Sequence, residues 1–223
     1  MDHREASEIV AQTYHLEGRP VAVSYVARPC TDGHQGKRFV CTAMQQARRG
    51  STITLTARNV ACPGGRHWLG LKNERRFLLP ALTYGEKLFE NTQVARQWFA
   101  TVPSPPFGRA RYVTLCPLDS AVTEPEMVFM VTDTHQAHRI HTALTFSDGA
   151  LSLPHYFAST CQSAIGIPIA TGKPYIALPD TACRKIARFA DSDVLVGLPY
   201  RYFRVLLDNI DRSSGGTAVA LFP

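Results

Sequence analysis

The chain has 223 residues, a formal net charge of +6, 45% hydrophobic residues and 19% charged ones. That balance excludes a disordered or collagen-like chain, and the length suffices to bury roughly 70% of the unfolded surface without help from disulfides. No run approaches the ~20 apolar residues of a membrane span, and the polar start Met1-Asp2-His3-Arg4-Glu5 has no signal-peptide pattern, so the expected compartment is the cytoplasm, with thiols reduced.

In chain order, Ile9, Val10, Tyr14 and Leu16 predict a helix over Ala6–Leu16, ended by Gly18-Arg19-Pro20. Val21–Val26, rich in branched and aromatic residues, reads as a strand. After a loop with Pro29, Gly33 and Gly36, a helix is expected from about Arg38 to Arg49, its basic last turn followed by Gly50. Ser51–Ala57 alternates as a strand and leads to a sharp turn, Cys62-Pro63-Gly64-Gly65. Thr83 and Glu86 have capping-box spacing, predicting a helix that runs on through about Phe99. Val102–Gly108, with three prolines, reads as a linker. Strands are expected at Tyr112–Leu118, Glu126–Val131, Ala150–Leu153, Tyr175–Leu178 and Val194–Leu198, and helices at His135–Leu144 and Tyr202–Ile210.

The two parts of this series resemble each other. Pro20, a strand, a helix, Gly50, a strand and Cys62 are echoed by Pro125, a strand, a helix, Gly149, a strand and Cys161, with twelve residues from glycine to cysteine in both. The expected fold is therefore α/β (or α+β): two pseudo-repeated β-α-β halves, about 18–100 and 110–212, forming one mixed-sheet unit with extra helices over 1–223. Such a repeat would bring Cys62 and Cys161 to one seam between the halves.

Six cysteines stand at 30, 41, 62, 116, 161 and 183, with no C-x-x-C among them, so zinc-ribbon, thioredoxin and ferredoxin spacings are absent. Cys30 and Cys116, both beside proline, fall outside the repeat. Cys41, Cys62, Cys161 and Cys183 sit on separate elements, and four thiolates arriving from four elements can hold zinc or an iron–sulfur cluster. The plain alternative for each is packing as a small hydrophobe. Gly64 and Gly65 allow backbone amides to converge on a thiolate, a cluster sulfide or an oxyanion. Arg184, next to Cys183, supplies positive charge that would offset an anionic site.

Other constellations carry less. His135, His138 and His141 lose their common helix face by the third residue and read as a solvated surface. No Walker loop, G-x-G-x-x-G or Ser-His-Asp grouping is present. The basic residues are scattered, with only Arg48-Arg49 and Arg75-Arg76 as pairs, so nucleic acid is not the expected partner.

Pro20–Val23, the run Arg38–Ala47, Cys62–Gly65, Leu69-Gly70-Leu71, the Pro125 strand, Gln136, Cys161 and Cys183-Arg184 together resemble the domain of unknown function 169 family, also called ArCR, of archaea and mostly anaerobic bacteria. The resemblance runs from about residue 10 to 205. It implies an oxygen-sensitive metal or iron–sulfur role, with Cys41, Cys62, Cys161 and Cys183 carried over by position, and it does not imply a reaction. The leading expectation is a cysteine-ligated metal or iron–sulfur protein in redox or cofactor handling, with a 4Fe–4S cluster ahead of zinc and a redox partner. A second is a non-metal module binding a small anion between the halves through Arg38, Arg109, Arg111 or Arg184. A third is a thiol-nucleophile enzyme using Cys62, with His67 as the base.

Overall fold

The computed structural model describes residues 1–29, 36–151, 153 and 159–215. Cys30 and Gly33 lie outside the described residues. Asp2 caps the first helix, α1 (His3–Thr13), through a bond from the Glu5 amide. Then come β1 (Val21–Val26), α2 (Val40–Arg48), β2 (Ile53–Leu55), α3 (Pro63–Trp68) and α4 (Arg75–Pro80). A π-helical turn at Ala81–Gly85 precedes α5 (Thr92–Thr101), β3 (Tyr112–Pro117), β4 (Met127–Thr132) and α6 (Thr134–Thr145). A second π-helical turn, Gln162–Gly166, leads into α7 (Ile167–Thr171), β5 (Tyr175–Ala177), α8 (Thr181–Ala187), β6 (Val194–Pro199) and α9 (Tyr200–Asn209). No helix among the described residues is long and apolar enough to cross a membrane.

The strands form one sheet in the order β2-β3-β1-β4-β6-β5, every pair of neighbours antiparallel. The expected α/β class holds, but the mixed sheet does not. β3 inserts between β1 and β2, and β6 between β4 and β5, so strands that run parallel never become neighbours. The strand positions match in pairs about the β1–β4 junction, but the rest of the proposed repeat is not established. α2 packs on one face of the sheet through Val40, Ala43, Met44 and Ala47, whereas α6, its expected counterpart, packs on the other through Ala137, Ile140 and Ala143. Cys62 follows β2, while Cys161 precedes β5. The strand expected over 150–153 is not formed at the described positions 150, 151 and 153.

Side-chain alternation divides the core into two layers. Met127, Phe129 and Val131 of β4 join Val21, Val23, Val113 and Leu115 on the face covered by α2 and α8. Val128 and Met130 point the opposite way, with Ala22 and Leu198, toward α1, α6 and α9. Two local expectations change. Thr83 does not cap a helix, because its hydroxyl donates to the Leu79 carbonyl inside the π-helical turn, and α5 instead begins at Asn91, whose side chain accepts the Gln93 and Val94 amides. The predicted linker is a packed crossing: the Gly108 amide donates to the Gly70 carbonyl, and a Cβ on Gly70 (φ +68°) would lie 2.9 Å from the Pro106 oxygen.

Phe129 is fully buried at the middle of the sheet. Phe129→Ala is expected to lower unfolding free energy by about 3–5 kcal/mol through lost burial and the cavity left behind. Urea denaturation checks this as a lower midpoint with an unchanged slope.

Candidate functional site

On the face covered by α2 and α8, four short elements each carry a cysteine that joins or packs against one core cluster. Cys41 sits in the first turn of α2 and Cys62 is the N-cap of α3. Cys161 precedes the second π-helical turn, and Cys183 lies in the first turn of α8. All four are free thiols that belong to, or pack against, one core cluster; Cys183 is buried and the others are half-buried. Cys116 is also in no disulfide, but it belongs to the other layer of the sheet, with Val128 and Leu118.

The thiols act on one another. The Cys183 thiol donates to the Cys41 sulfur, and this, with the Thr42 amide, holds Cys41 below the ordinary thiol range against burial and the Asp180 charge. The same contact, with burial, pushes Cys183 far up. Burial raises Cys62, and the amides of Val40 and Gly65, turned toward its sulfur, oppose that rise. Burial raises Cys161 well above the thiol range, and the charges of Cys62 and Asp180 add to the effect. Cys41 is the thiol common to these interactions: it acts on Cys62, Cys161 and Cys183. Among the described residues, no three His, Cys, Asp or Glu side chains are grouped so as to hold a metal ion.

Backbone geometry explains the amides. Neither α2 nor α3 has a capping side-chain bond, so their first N–H groups are left to the sulfurs. Cys62-Pro63-Gly64-Gly65 is not merely a sharp turn: Pro63 opens α3 at the position where its missing N–H costs nothing. Gly65 is the required glycine, since a Cβ there would stand 2.5 Å from a Val40 methyl and 2.6 Å from the Cys62 sulfur. At Gly64 a Cβ would meet only Trp68, at an ordinary 3.7 Å, so no close approach explains that glycine.

One residue unmarked in the sequence reading organises the site. The Asp180 carboxylate accepts the Thr160 amide (2.8 Å), the Thr160 hydroxyl (2.9 Å) and the Cys183 amide (2.7 Å), while the Asp180 amide donates to the Thr160 hydroxyl (2.8 Å). It therefore caps α8 and ties the Cys161 segment to the Cys183 segment. An Asp three residues before Cys183 is an N-cap signal that could have located this helix start; nothing local signals the partner twenty residues earlier. Ser159 also contacts the Cys161 sulfur at 3.8 Å. Gln162, next to Cys161, is fully buried, and its side-chain amide has no partner among the described residues.

Arg184 does not serve the site as expected. Its guanidinium donates to the Pro179 and Ala190 carbonyls and pairs with Asp191 at 3.0 Å, bracing the ends of α8. The charge bearing on Cys41, Cys161 and Cys183 is instead the anionic Asp180. Two of the other three proposed anion anchors are also engaged: Arg109 pairs with Glu126 at 2.6 Å and lies over the Tyr25 ring, and Arg38 donates to Gln46. His67 is buried among Trp68, Phe99 and Phe107, and its Nδ1 accepts the Glu74 amide, so that nitrogen is not available as a base for Cys62.

Fold and site together define an α/β protein with one antiparallel sheet and four thiols collected at helix and turn starts on one of its faces. The chain belongs to the uncharacterised ArCR family, the domain of unknown function 169 family, whose model matches residues 9–209. No curated protein and no solved structure matches it.

Replacing Asp180 by Ala is expected to remove about 1–2 kcal/mol for the cap alone, and more for the stranded Thr160 groups, read as a lower urea midpoint. Burial also depresses His67 to about 4 from its ordinary 6.5. The unfolded chain then binds the extra proton between these values, so stability is fully present above about pH 6.5 and falls toward pH 4, by up to about 3 kcal/mol. His67→Phe should flatten that part of the pH–stability curve.

Proposed function

We propose that the protein holds an iron–sulfur cluster on Cys41, Cys62, Cys161 and Cys183, and uses it in redox or cofactor handling in the cytoplasm. The observation that supports this reading is that Cys62, Cys161 and Cys183, on three other elements, each feel the Cys41 sulfur, with backbone amides turned toward Cys41 and Cys62. Thiolates are the ligands such clusters require, and amide donors to sulfur stabilise the anionic assembly and tune its potential.

A cluster suits the arrangement better than a single zinc. Four sulfurs bound to one zinc at about 2.3 Å must nearly touch one another, whereas the direct sulfur–sulfur contact among these thiols is between Cys41 and Cys183. In a 4Fe–4S cluster each sulfur meets a different iron, so the ligands stand further apart. The negative Asp180 beside the thiols opposes the accumulation of more charge, which favours a low potential. Gln162 offers a buried, uncommitted amide next to Cys161. Leaving such a group unpaired costs about 1–3 kcal/mol, a cost that a bound polar group would remove.

Protein purified without oxygen is expected to be brown, with about four irons and four sulfides per chain. Cys41→Ala, Cys62→Ala and Cys161→Ala should each lose most of that iron. Absence of iron and sulfide after anaerobic reconstitution, or full iron in all three variants, overturns the assignment.

A further inference from the structure

We propose that Cys41 and Cys183 are a reversible dithiol–disulfide pair, with Cys41 the thiol that attacks an incoming disulfide and Cys183 the thiol that resolves it. The inference concerns the metal-free chain and stands independently of the cluster reading.

Three observations carry it. First, the two thiols are in contact, the Cys183 thiol donating to the Cys41 sulfur, and their helices α2 and α8 pack directly on each other. Second, their exposure is unequal: Cys41 is half-buried at the start of α2, whereas Cys183 is 2% exposed. A dissolved disulfide therefore reaches Cys41 first, and Cys183 can react only with a sulfur already inside. Third, the remaining thiols of the site are turned to other partners. The Cys62 sulfur faces the Val40 and Gly65 amides, and the Cys161 sulfur contacts the Ser159 hydroxyl. Asp180 fixes the Cys183 backbone through its amide, so the resolving sulfur is held in place.

The co-reactant is a small-molecule disulfide such as glutathione disulfide. The Cys41 thiolate attacks one of its sulfurs, forming a mixed disulfide and expelling one glutathione thiolate. Cys183 gives its proton to that thiolate, and its sulfur attacks the Cys41 sulfur, expelling the second glutathione, which takes a proton from water. Two protein thiols are oxidised to one disulfide, and one glutathione disulfide is reduced to two thiols. Where the cluster reading also holds, this bond withdraws two of the four ligands, so oxidation would block loading.

The test uses the full chain stripped of metal by a chelator and treated with glutathione disulfide, with dithiothreitol as the reversing agent. Thiol titration is expected to fall by two per chain and recover on reduction. Digestion with trypsin together with cleavage before aspartates cuts after Arg48 and Arg58, which separates Cys41 from Cys62, and before Asp180, which separates Cys161 from Cys183, letting the cross-linked peptides be assigned. A Cys41–Cys183 link is expected, with Cys62 and Cys161 recovered as alkylated thiols. Cys183→Ser should accumulate glutathione on Cys41 unresolved; if that variant does not fold, Cys183→Ala serves, and the wild-type mapping stands without either. A link between other cysteines, or no loss of thiols, overturns the proposal. Iron uptake by the reduced chain that falls severalfold after oxidation supports both readings. No uptake in either state overturns the cluster and leaves the disulfide standing.

Discussion

The Asp180 carboxylate is the interaction on which the thiol site depends. It accepts three hydrogen bonds from Thr160 and Cys183, and its own amide returns a fourth to Thr160. The Cys161 and Cys183 segments each begin a helical element, and neither approach is fixed by its own sequence. Joining them through one carboxylate sets both sulfurs on the same face as Cys41. A charge-assisted cap of this kind is stronger than a neutral one, and it also places a negative charge beside three of the thiols.

The sheet supplies the platform. With every strand antiparallel to its neighbours, alternate side chains divide between two layers, and the two layers take different work. α1, α6 and α9 cover one face with a largely apolar contact that includes Val10, Ile140 and Phe203, crossed by the buried bond from Asn209 to the Ala143 carbonyl. The other face carries shorter pieces, α2, α3, α8 and the second π-helical turn, whose ends leave amides and sulfurs together. Close backbone contacts lock these pieces down: the Ala164 carbonyl occupies the place a side chain on Gly197 would need, and Gly166 lies against the Trp68 carbonyl. π-Helical turns are uncommon and occur often at functional sites; one of the two here begins next to Cys161.

The thiol network is graded, with each cause visible. Cys41 has a donor thiol and backbone amides and is the one held low. Cys62 has amides but more desolvation, and Cys161 is turned against Trp68, Leu78 and Phe99, where an anion is poorly solvated. Cys183 gives its proton to the contact with Cys41. Of the four thiols, Cys41 is therefore the one that ionises most readily.

Much of the local structure was legible from the residues. β1 at Val21–Val26 and the helix around Cys41 follow from branched residues and from the Gly50 stop. α3, α4 and both π-helical turns were not legible: each is five or six residues long, too short for a periodic pattern, and depends on neighbours for its stability. The apparent duplication misled because matched glycine–cysteine spacings say nothing about which face of a sheet a helix covers. The sequence by itself determined the α/β class and the apolar alternation of the strands, because these are properties of local spacing and residue type. Only the tertiary structure decided the antiparallel strand order, the engagement of Arg184 away from the thiols and the Asp180–Thr160 link. Those depend on contacts between residues far apart in the chain, and on competition among partners that adjacent residues do not encode.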